Sequence, residues 1–224
     1  MIGRISEVFD SIQGEGIYLG EKQLFVRFFG CNLNCQFCDT KTYGFTEYEP
    51  QDLLQEIRSF SDEYHSISFT GGEPLVQKDF LKEILALTKK ENYKNYLETN
   101  GTLGDELADV IDYVDIVAMD LKLPTSTGNN TELWQEHRKF LKTASKKQVF
   151  LKSVVCWSTS EEDFCASISL IREINRSAVL VLQPNSFEKY DNLKEKLARF
   201  KDISLDNNIT TCVIPQMHKV MGVR

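Results

Sequence analysis

Short apolar runs spaced by longer amphipathic ones constrain this chain more than any other feature. Runs rich in β-branched and aromatic residues occur at 23–29 (QLFVRFF), 66–70 (SISFT), 95–99 (NYLET), 115–121 (DIVAMDL), 149–155 (VFLKSVV) and 178–183 (AVLVLQ). Between them lie helical patterns over 50–60, 78–89, 131–144, 160–174 and 190–200, with a shorter one at 105–111. In the pattern from Lys78, the residues Phe80, Leu81, Ile84, Leu85 and Leu87 mark one face. Strands alternating with helices predict right-handed crossovers and a parallel sheet. Six strands are too few for a closed eight-stranded barrel, which takes about 250 residues. The expected fold is α/β, either an open, partial β/α barrel of about six parallel strands or a doubly wound sheet. Both collect ligands at the C-terminal ends of their strands. No linker, repeat or low-complexity segment divides residues 1–224, so one domain is expected, with 123–130 (LPTSTGNN) its most loop-like interior stretch.

Composition narrows the partners. At 42% hydrophobic and 26% charged, the chain can bury a substantial core. No run approaches the ~18 apolar residues that span a membrane. The opening MIGRISEVFDSIQGEG lacks the basic-then-apolar layout of a secretory signal, so a cytoplasmic location is the expectation. In a reducing compartment, clustered cysteines point to metal or redox chemistry rather than disulfides. The net charge of −7 argues against nucleic acid and for a small-molecule substrate. The densest basic run, 142–147 (KTASKK), reads as a solvated helix end.

Cys31, Cys35 and Cys38 follow the first strong strand with C-x3-C-x2-C spacing, and Gly30 allows a sharp turn before them. Structural zinc takes four ligands, usually as two pairs. No second pair exists: Cys156, Cys165 and Cys212 are scattered, and each reads as a buried small hydrophobe. A zinc site would have to be completed by His65, His137 or His218. An iron–sulfur cluster usually takes four cysteines, so three leave one iron open to an exogenous ligand. That is a catalytic arrangement, as an open coordination position is in zinc enzymes.

At these residues the chain resembles the radical S-adenosylmethionine (SAM) superfamily, whose hallmark is C-x3-C-x-aromatic-C; Phe37 supplies the aromatic. The resemblance implies a [4Fe–4S] cluster on Cys31, Cys35 and Cys38. It also implies SAM chelated to the open iron, cleaved on reduction to a 5'-deoxyadenosyl radical, with no protein side chain as the catalyst. SISFTGGEP (66–74) resembles the superfamily's GGE motif, which makes Gly72 and Glu73 SAM-binding candidates. Gly71 and Gly72 have no Cβ, so ligand atoms could approach the backbone there.

SIQGEGIYLG (11–20), FVRFFGC (25–31), the CDT ending at Thr40, ETNGT (98–102) and LQPN (182–185) together resemble the 7-carboxy-7-deazaguanine synthase family. The family's reaction turns 6-carboxy-5,6,7,8-tetrahydropterin into 7-carboxy-7-deazaguanine, with ring contraction and loss of ammonia, on the route to queuosine and related 7-deazapurines. The guanidinium of Arg27 suits a bidentate grip on the substrate carboxylate, or a strand-end salt bridge. Ile12, Gln13, Gly14 and Glu15, with Thr70 and Glu98, would read the donor-and-acceptor edge of the pterin. Glu15 could equally solvate a glycine-flanked loop. The resemblance places Mg2+ on the Thr40 hydroxyl, where an Asp39–Thr40 turn or helix cap competes. Lys122, Gln183, Pro184 and Asn185 carry over as SAM contacts beside Phe37; many relatives have Ser-Pro-Lys where this chain has Asp120-Leu121-Lys122. His218 and Lys219 read as a plain tail, although some relatives close over substrate with the chain end.

The resemblance further implies an electron donor such as flavodoxin or ferredoxin, and a homodimer. Two other readings stand beside it: a radical SAM activase that makes a glycyl radical on a partner protein, and a non-catalytic zinc-binding module.

Overall fold

Side chains alternate faces along a strand, so one register decides which residues share a wall. A computed structural model describes residues 1–40, 44–128 and 132–222. Among them, nine strands form one sheet: β1 (Gly3–Ile12), β2 (Lys22–Phe28), β3 (Thr46–Tyr48), β4 (Ser66–Gly71), β5 (Asn95–Thr99), β6 (Ile116–Asp120), β7 (Gln148–Val155), β8 (Leu180–Pro184) and β9 (Thr211–Val213). The order is β3-β1-β2-β4-β5-β6-β7-β8-β9. From β2 to β9 every neighbour is parallel. β1 and β3 add an antiparallel margin. β3 and β9 are the two edges, so the barrel stays open.

The six expected strands are β2 and β4–β8, with ends displaced by at most two residues. β1, β3 and β9 were not expected. β1 carries Arg4, Glu7 and Asp10, and its register shifts between Ile5 and Glu7, which breaks the apolar alternation. β3 and β9 have three residues each and present no period.

The helices are α1 (Pro50–Ser59), α2 (Lys78–Lys90), α3 (Gly104–Val110), α4 (Pro124–Thr127), α5 (Trp134–Ala144), α6 (Glu161–Ile174), α7 (Tyr190–Asp206) and α8 (Met217–Met221). The Ser160 hydroxyl caps α6 by accepting from Asp163 N–H at 3.1 Å. α7 runs six residues past the expected Phe200 because Ile203 and Ser204 prolong its buried stripe. The loop-like 123–130 holds a helical turn instead, α4, opened by Pro124 and closed by Gly128 at φ +76°. Asn129, Asn130 and Thr131, also part of the expected elements, lie outside the described residues. Lys142 is exposed in the last turn of α5, as the solvated reading of 142–147 requires.

One face of the sheet is apolar: Leu24, Val26, Phe28, Ile67, Phe69, Leu97, Val117, Met119, Leu151, Leu180 and Leu182 are buried in the main core with the helices. The opposite face changes along the strands. Tyr96, Ile116, Ala118, Phe150 and Val181 form a second apolar cluster, with Tyr18 packed against it. Beyond this floor, the same face turns polar toward the C-terminal strand ends.

Two loops meet there through backbone alone. Gly72 N–H donates to the Phe28 carbonyl at 3.0 Å and Glu73 N–H to the Gly30 carbonyl at 2.8 Å. A Cβ on Gly72 would sit 1.9 Å from the Gly30 oxygen, and one on Gly71, at φ +127°, would sit 2.4 Å from Phe28 backbone. The glycine pair serves the approach of the two loops. Gly72→Ala is expected to cost about 3 kcal/mol, at the upper end for overpacking, and to lower the melting temperature by about 6 °C or more. An unchanged melting temperature in thermal denaturation would remove this contact from the account.

Candidate active site

The three-cysteine loop leaves β2 at Gly30, whose φ of +92° turns the chain across the strand ends. Its far side is pinned by Gln36 N–H, which donates to the Thr127 carbonyl of α4 at 3.0 Å. A Cβ on Gly128 would strike the Gln36 side chain at 2.1 Å, so the αL glycine that ends α4 also seats the loop. Cys31, Cys35 and Cys38 all line one cavity of about 820 Å³. Burial pushes the Cys31 and Cys35 thiols up, so in the metal-free protein they are neutral near pH 7 and must lose protons to bind iron. Phe37 lies in the same loop, with the Lys122 ammonium 5.0 Å from its ring centroid.

The other cysteines divide. Cys156 is buried, as expected, Cys212 is half-buried, and Cys165 is exposed. The exposure of Cys165 corrects its reading as a buried hydrophobe: it falls on the solvent side of α6, whose core stripe is Phe164, Ser167, Ile168 and Ile171. His137 is buried, with Nδ1 2.9 Å from the Gly101 carbonyl and Nε2 accepting from Lys122 N–H at 3.1 Å. His65 packs against Tyr18 just before β4, at the opposite end of that strand from Gly71. Neither can complete a zinc site.

Register builds the rest of the wall. Arg27 pairs with Thr70 across β2 and β4, and Glu98 continues the row on β5. Thr70 donates to Glu98 at 2.9 Å and Gln13 donates to the other Glu98 oxygen at 2.8 Å. Gln13 also donates to Gln23 at 2.9 Å, and its carbonyl accepts from Glu15 N–H at 3.0 Å. Arg27 makes the ion pair the alternative reading expected, Nε to Glu7 at 3.1 Å, and stacks over Phe9 at 5.5 Å. It lines the cavity nonetheless, with Ile12, Gly14, Thr40, Gly72 and Asn185.

One register step further, Asp120 on β6 sits beside Lys152 on β7. Lys122 donates to Asp120 Oδ2 at 2.7 Å, and Lys152 is ion-paired with Glu15. Burial pushes the Glu15 carboxyl up, but the Lys152 ammonium more than offsets this and holds it below its ordinary value. Burial also works against the Lys152 charge, and Glu15 and Asp120 outweigh it.

The chain end is no plain tail. Met217 N–H donates to the Gly14 carbonyl at 2.9 Å. Gln216 donates to Glu15 and to Asp39 at 2.8 Å each. Lys219 pairs with Asp39 at 2.8 Å and bonds Ser186 at 2.6 Å. His218 packs so closely that a Cβ on Gly14 would sit 2.6 Å from it. The carboxylates of Glu15 and Asp39 supply the partners that a free terminus lacks.

Two sequence candidates are placed off the cavity wall. Glu73 is fully buried and accepts from Leu75 N–H at 3.2 Å, the Thr99 hydroxyl at 2.9 Å and Asn100 N–H at 2.7 Å. Burial pushes its carboxyl up to about 7. Pro184 closes β8 inside the core. Sequence reasoning passed over Lys152, Gln216 and Asn100, all of which line the cavity. Lys152 had a signal: it is the one charge in VFLKSVV.

SAM fits this wall on an independent ground. Among the described residues, Asp120 Oδ1 and Gln183 Oε1 are buried acceptors without a hydrogen-bond partner, and such atoms call for donors. SAM offers an ammonium and two ribose hydroxyls.

The family model of the Radical SAM superfamily matches residues 25–177. The chain is 35% identical to a 7-carboxy-7-deazaguanine synthase of Geobacter sulfurreducens, over 97% of this chain and 96% of that protein. It is 36% identical to one of Archaeoglobus fulgidus over 100% of both. Among solved structures, QueE from Escherichia coli matches the fold with a TM-score of 0.67 at 21% identity, covering 95% of this chain and 93% of that one.

The Glu15–Lys152 pair generates a pH-dependent prediction. Lys152→Met leaves a buried carboxylate without its counterion and is expected to cost about 3 kcal/mol at pH 7. Because the folded pKa of Glu15 lies below its ordinary 4.5, the stability it contributes is present above that value and is lost as pH falls through the folded one. Melting curves of protein and variant should therefore converge as the pH is lowered below 4.5. A gap that stays constant with pH would contradict the pairing.

Proposed function

This chain belongs to the radical SAM superfamily and, within it, to the 7-carboxy-7-deazaguanine synthases, and we propose that its cavity binds 6-carboxy-5,6,7,8-tetrahydropterin through the Arg27–Thr70–Glu98 row. It is a radical SAM enzyme with a [4Fe–4S] cluster and SAM as cofactors, and its product is 7-carboxy-7-deazaguanine. The observation that carries the substrate reading is the register that sets a guanidinium, a hydroxyl and a carboxylate side by side, on the same cavity wall as three thiols.

Cys31, Cys35 and Cys38 would hold the cluster, and Asp120 and Gln183 would accept from SAM donors. Bound together, cluster and SAM supply the one-electron chemistry that removes a hydrogen atom from the substrate. Arg27 grips the substrate carboxylate as a planar fork. Glu98, already oriented by Thr70 and Gln13, accepts from the N–H edge of the pterin. Glu15, kept ionised by Lys152, presents a second acceptor on the facing loop. The Thr40 hydroxyl is suited to Mg2+, which needs few protein ligands. Gln216, His218 and Lys219, latched to Gly14, Glu15 and Asp39, line one side of the cavity and would limit the access of water from that side.

A cavity walled by converging charged and hydrogen-bonding side chains favours a small molecule over the protein substrate of an activase. One continuous sheet supports the reading of a single domain. No helix of the described residues is long and apolar enough to cross a membrane. An external one-electron donor of the flavodoxin or ferredoxin kind, a cytoplasmic location and a homodimer complete the proposal.

Anaerobic reconstitution followed by SAM, reductant, Mg2+ and 6-carboxytetrahydropterin tests it. Expected products are 5'-deoxyadenosine or its radical-recycled SAM equivalent, and 7-carboxy-7-deazaguanine. 5'-Deoxyadenosine without the deazaguanine would overturn the substrate assignment. Thr40→Ala should lose most of the stimulation by Mg2+; full stimulation would remove Thr40 from the metal site.

A further inference from the structure

Asn100, in the turn after β5, is used by none of the roles above. It is buried at 6% exposure, and its orientation is fixed from three sides. Its backbone N–H donates to Glu73 Oε2 at 2.7 Å. Its side-chain carbonyl accepts from Thr102 N–H at 3.1 Å and from the Thr102 hydroxyl at 2.6 Å. The amide nitrogen therefore has to face the opposite way, where it donates to Asn32 Oδ1 at 2.8 Å and lies 3.8 Å from Cys31 Sγ. Asn32 in turn donates to the Thr102 hydroxyl at 2.9 Å. Asn32, Thr102 and Asn100 form a closed ring of hydrogen bonds, so neither amide can be reversed without breaking two bonds.

The ring treats the cysteines unequally. Cys31 Sγ receives Leu33 N–H at 3.4 Å together with the Asn100 amide. Cys38 Sγ faces an acceptor, the Thr40 carbonyl, at 3.6 Å. A hydrogen bond to a ligand thiolate stabilises negative charge, and a reduced cluster carries one electron more than an oxidised one. Donors at the sulfur therefore favour reduction.

We infer that Asn100 is a positioning residue that raises the reduction potential of the cluster by donating to Cys31 Sγ, with Thr102 holding its amide in place. This rests on the three-cysteine cluster and is independent of the substrate. Asn100→Asp keeps the carbonyl that Thr102 needs but puts a carboxylate oxygen toward the sulfur. Asn100→Ser simply removes the amide donor. Asn32→Ser leaves Asn100 locked by Thr102 and serves as the control.

The measurement is a potentiometric titration of the reconstituted cluster, followed by electron paramagnetic resonance, with iron and sulfide quantified in each sample. Asn100→Ser should disfavour one-electron reduction by about tenfold, a shift of 59 mV to lower potential. Asn100→Asp should move it further in the same direction, and Asn32→Ser should stay near the unsubstituted protein. If changes at position 100 prevent cluster assembly, Thr102→Val, which removes the shorter of the two bonds that orient the amide and leaves only the backbone N–H, should lower the potential instead. Unchanged potentials with intact clusters would overturn the inference, as would an Asn32→Ser shift equal to that of Asn100→Ser. Failure of the unsubstituted protein to assemble a cluster would instead overturn the cofactor assignment.

Discussion

The backbone contact between Gly72 and Gly30 holds the rest of the site in place. It is too close for any side chain, and it fixes where the three-cysteine loop starts relative to β4. The next residue, Glu73, turns away from the cavity and collects N–H and hydroxyl donors from Leu75, Thr99 and Asn100. A chain of short-range constraints thus runs from a glycine pair, through a buried carboxyl, to an amide at Cys31. Its members do different work. Gly72 permits the approach, Glu73 braces the turn after β5, and Asn100 meets the sulfur.

A second constraint comes from the strand period. Parallel strands covered on both faces are usually apolar throughout. Here the inner face is apolar only at the floor, around Tyr96 and Phe150. Above it come Arg27, Glu98, Asp120, Lys152 and Gln183. Burying these charges is tolerable because they pair with opposite sign: Lys122 with Asp120 and Lys152 with Glu15. Among the described residues, two of the buried atoms left without a partner, Asp120 Oδ1 and Gln183 Oε1, are acceptors that a cofactor can satisfy.

Much of this was legible in the residues, and the exceptions have physical causes. β2 and β4–β8 announce themselves because buried parallel strands are continuous apolar runs. β1 does not, because a register shift and three charges blur its alternation. Cys31, Cys35 and Cys38 are adjacent in sequence, so their convergence needs no tertiary information. Glu15 and Lys152 are far apart in the chain, and only the sheet brings them together. The chain end looked like a free tail for the same reason: its partners, Gly14, Glu15 and Asp39, are distant in sequence. Glu73 belongs to a recognisable motif, but its hydrogen bonds to Thr99 and Asn100 cross to the next strand and are not disclosed by the motif alone.

The central claim is that three thiolates hold an iron–sulfur cluster with one iron open to SAM. Electron paramagnetic resonance of the anaerobically reconstituted, reduced protein, recorded with and without SAM, tests it most directly. The account predicts a [4Fe–4S] signal that changes on addition of SAM and is missing when Cys35 is replaced by alanine. A signal indifferent to SAM, a cluster that survives Cys35→Ala, or zinc in place of iron would contradict it.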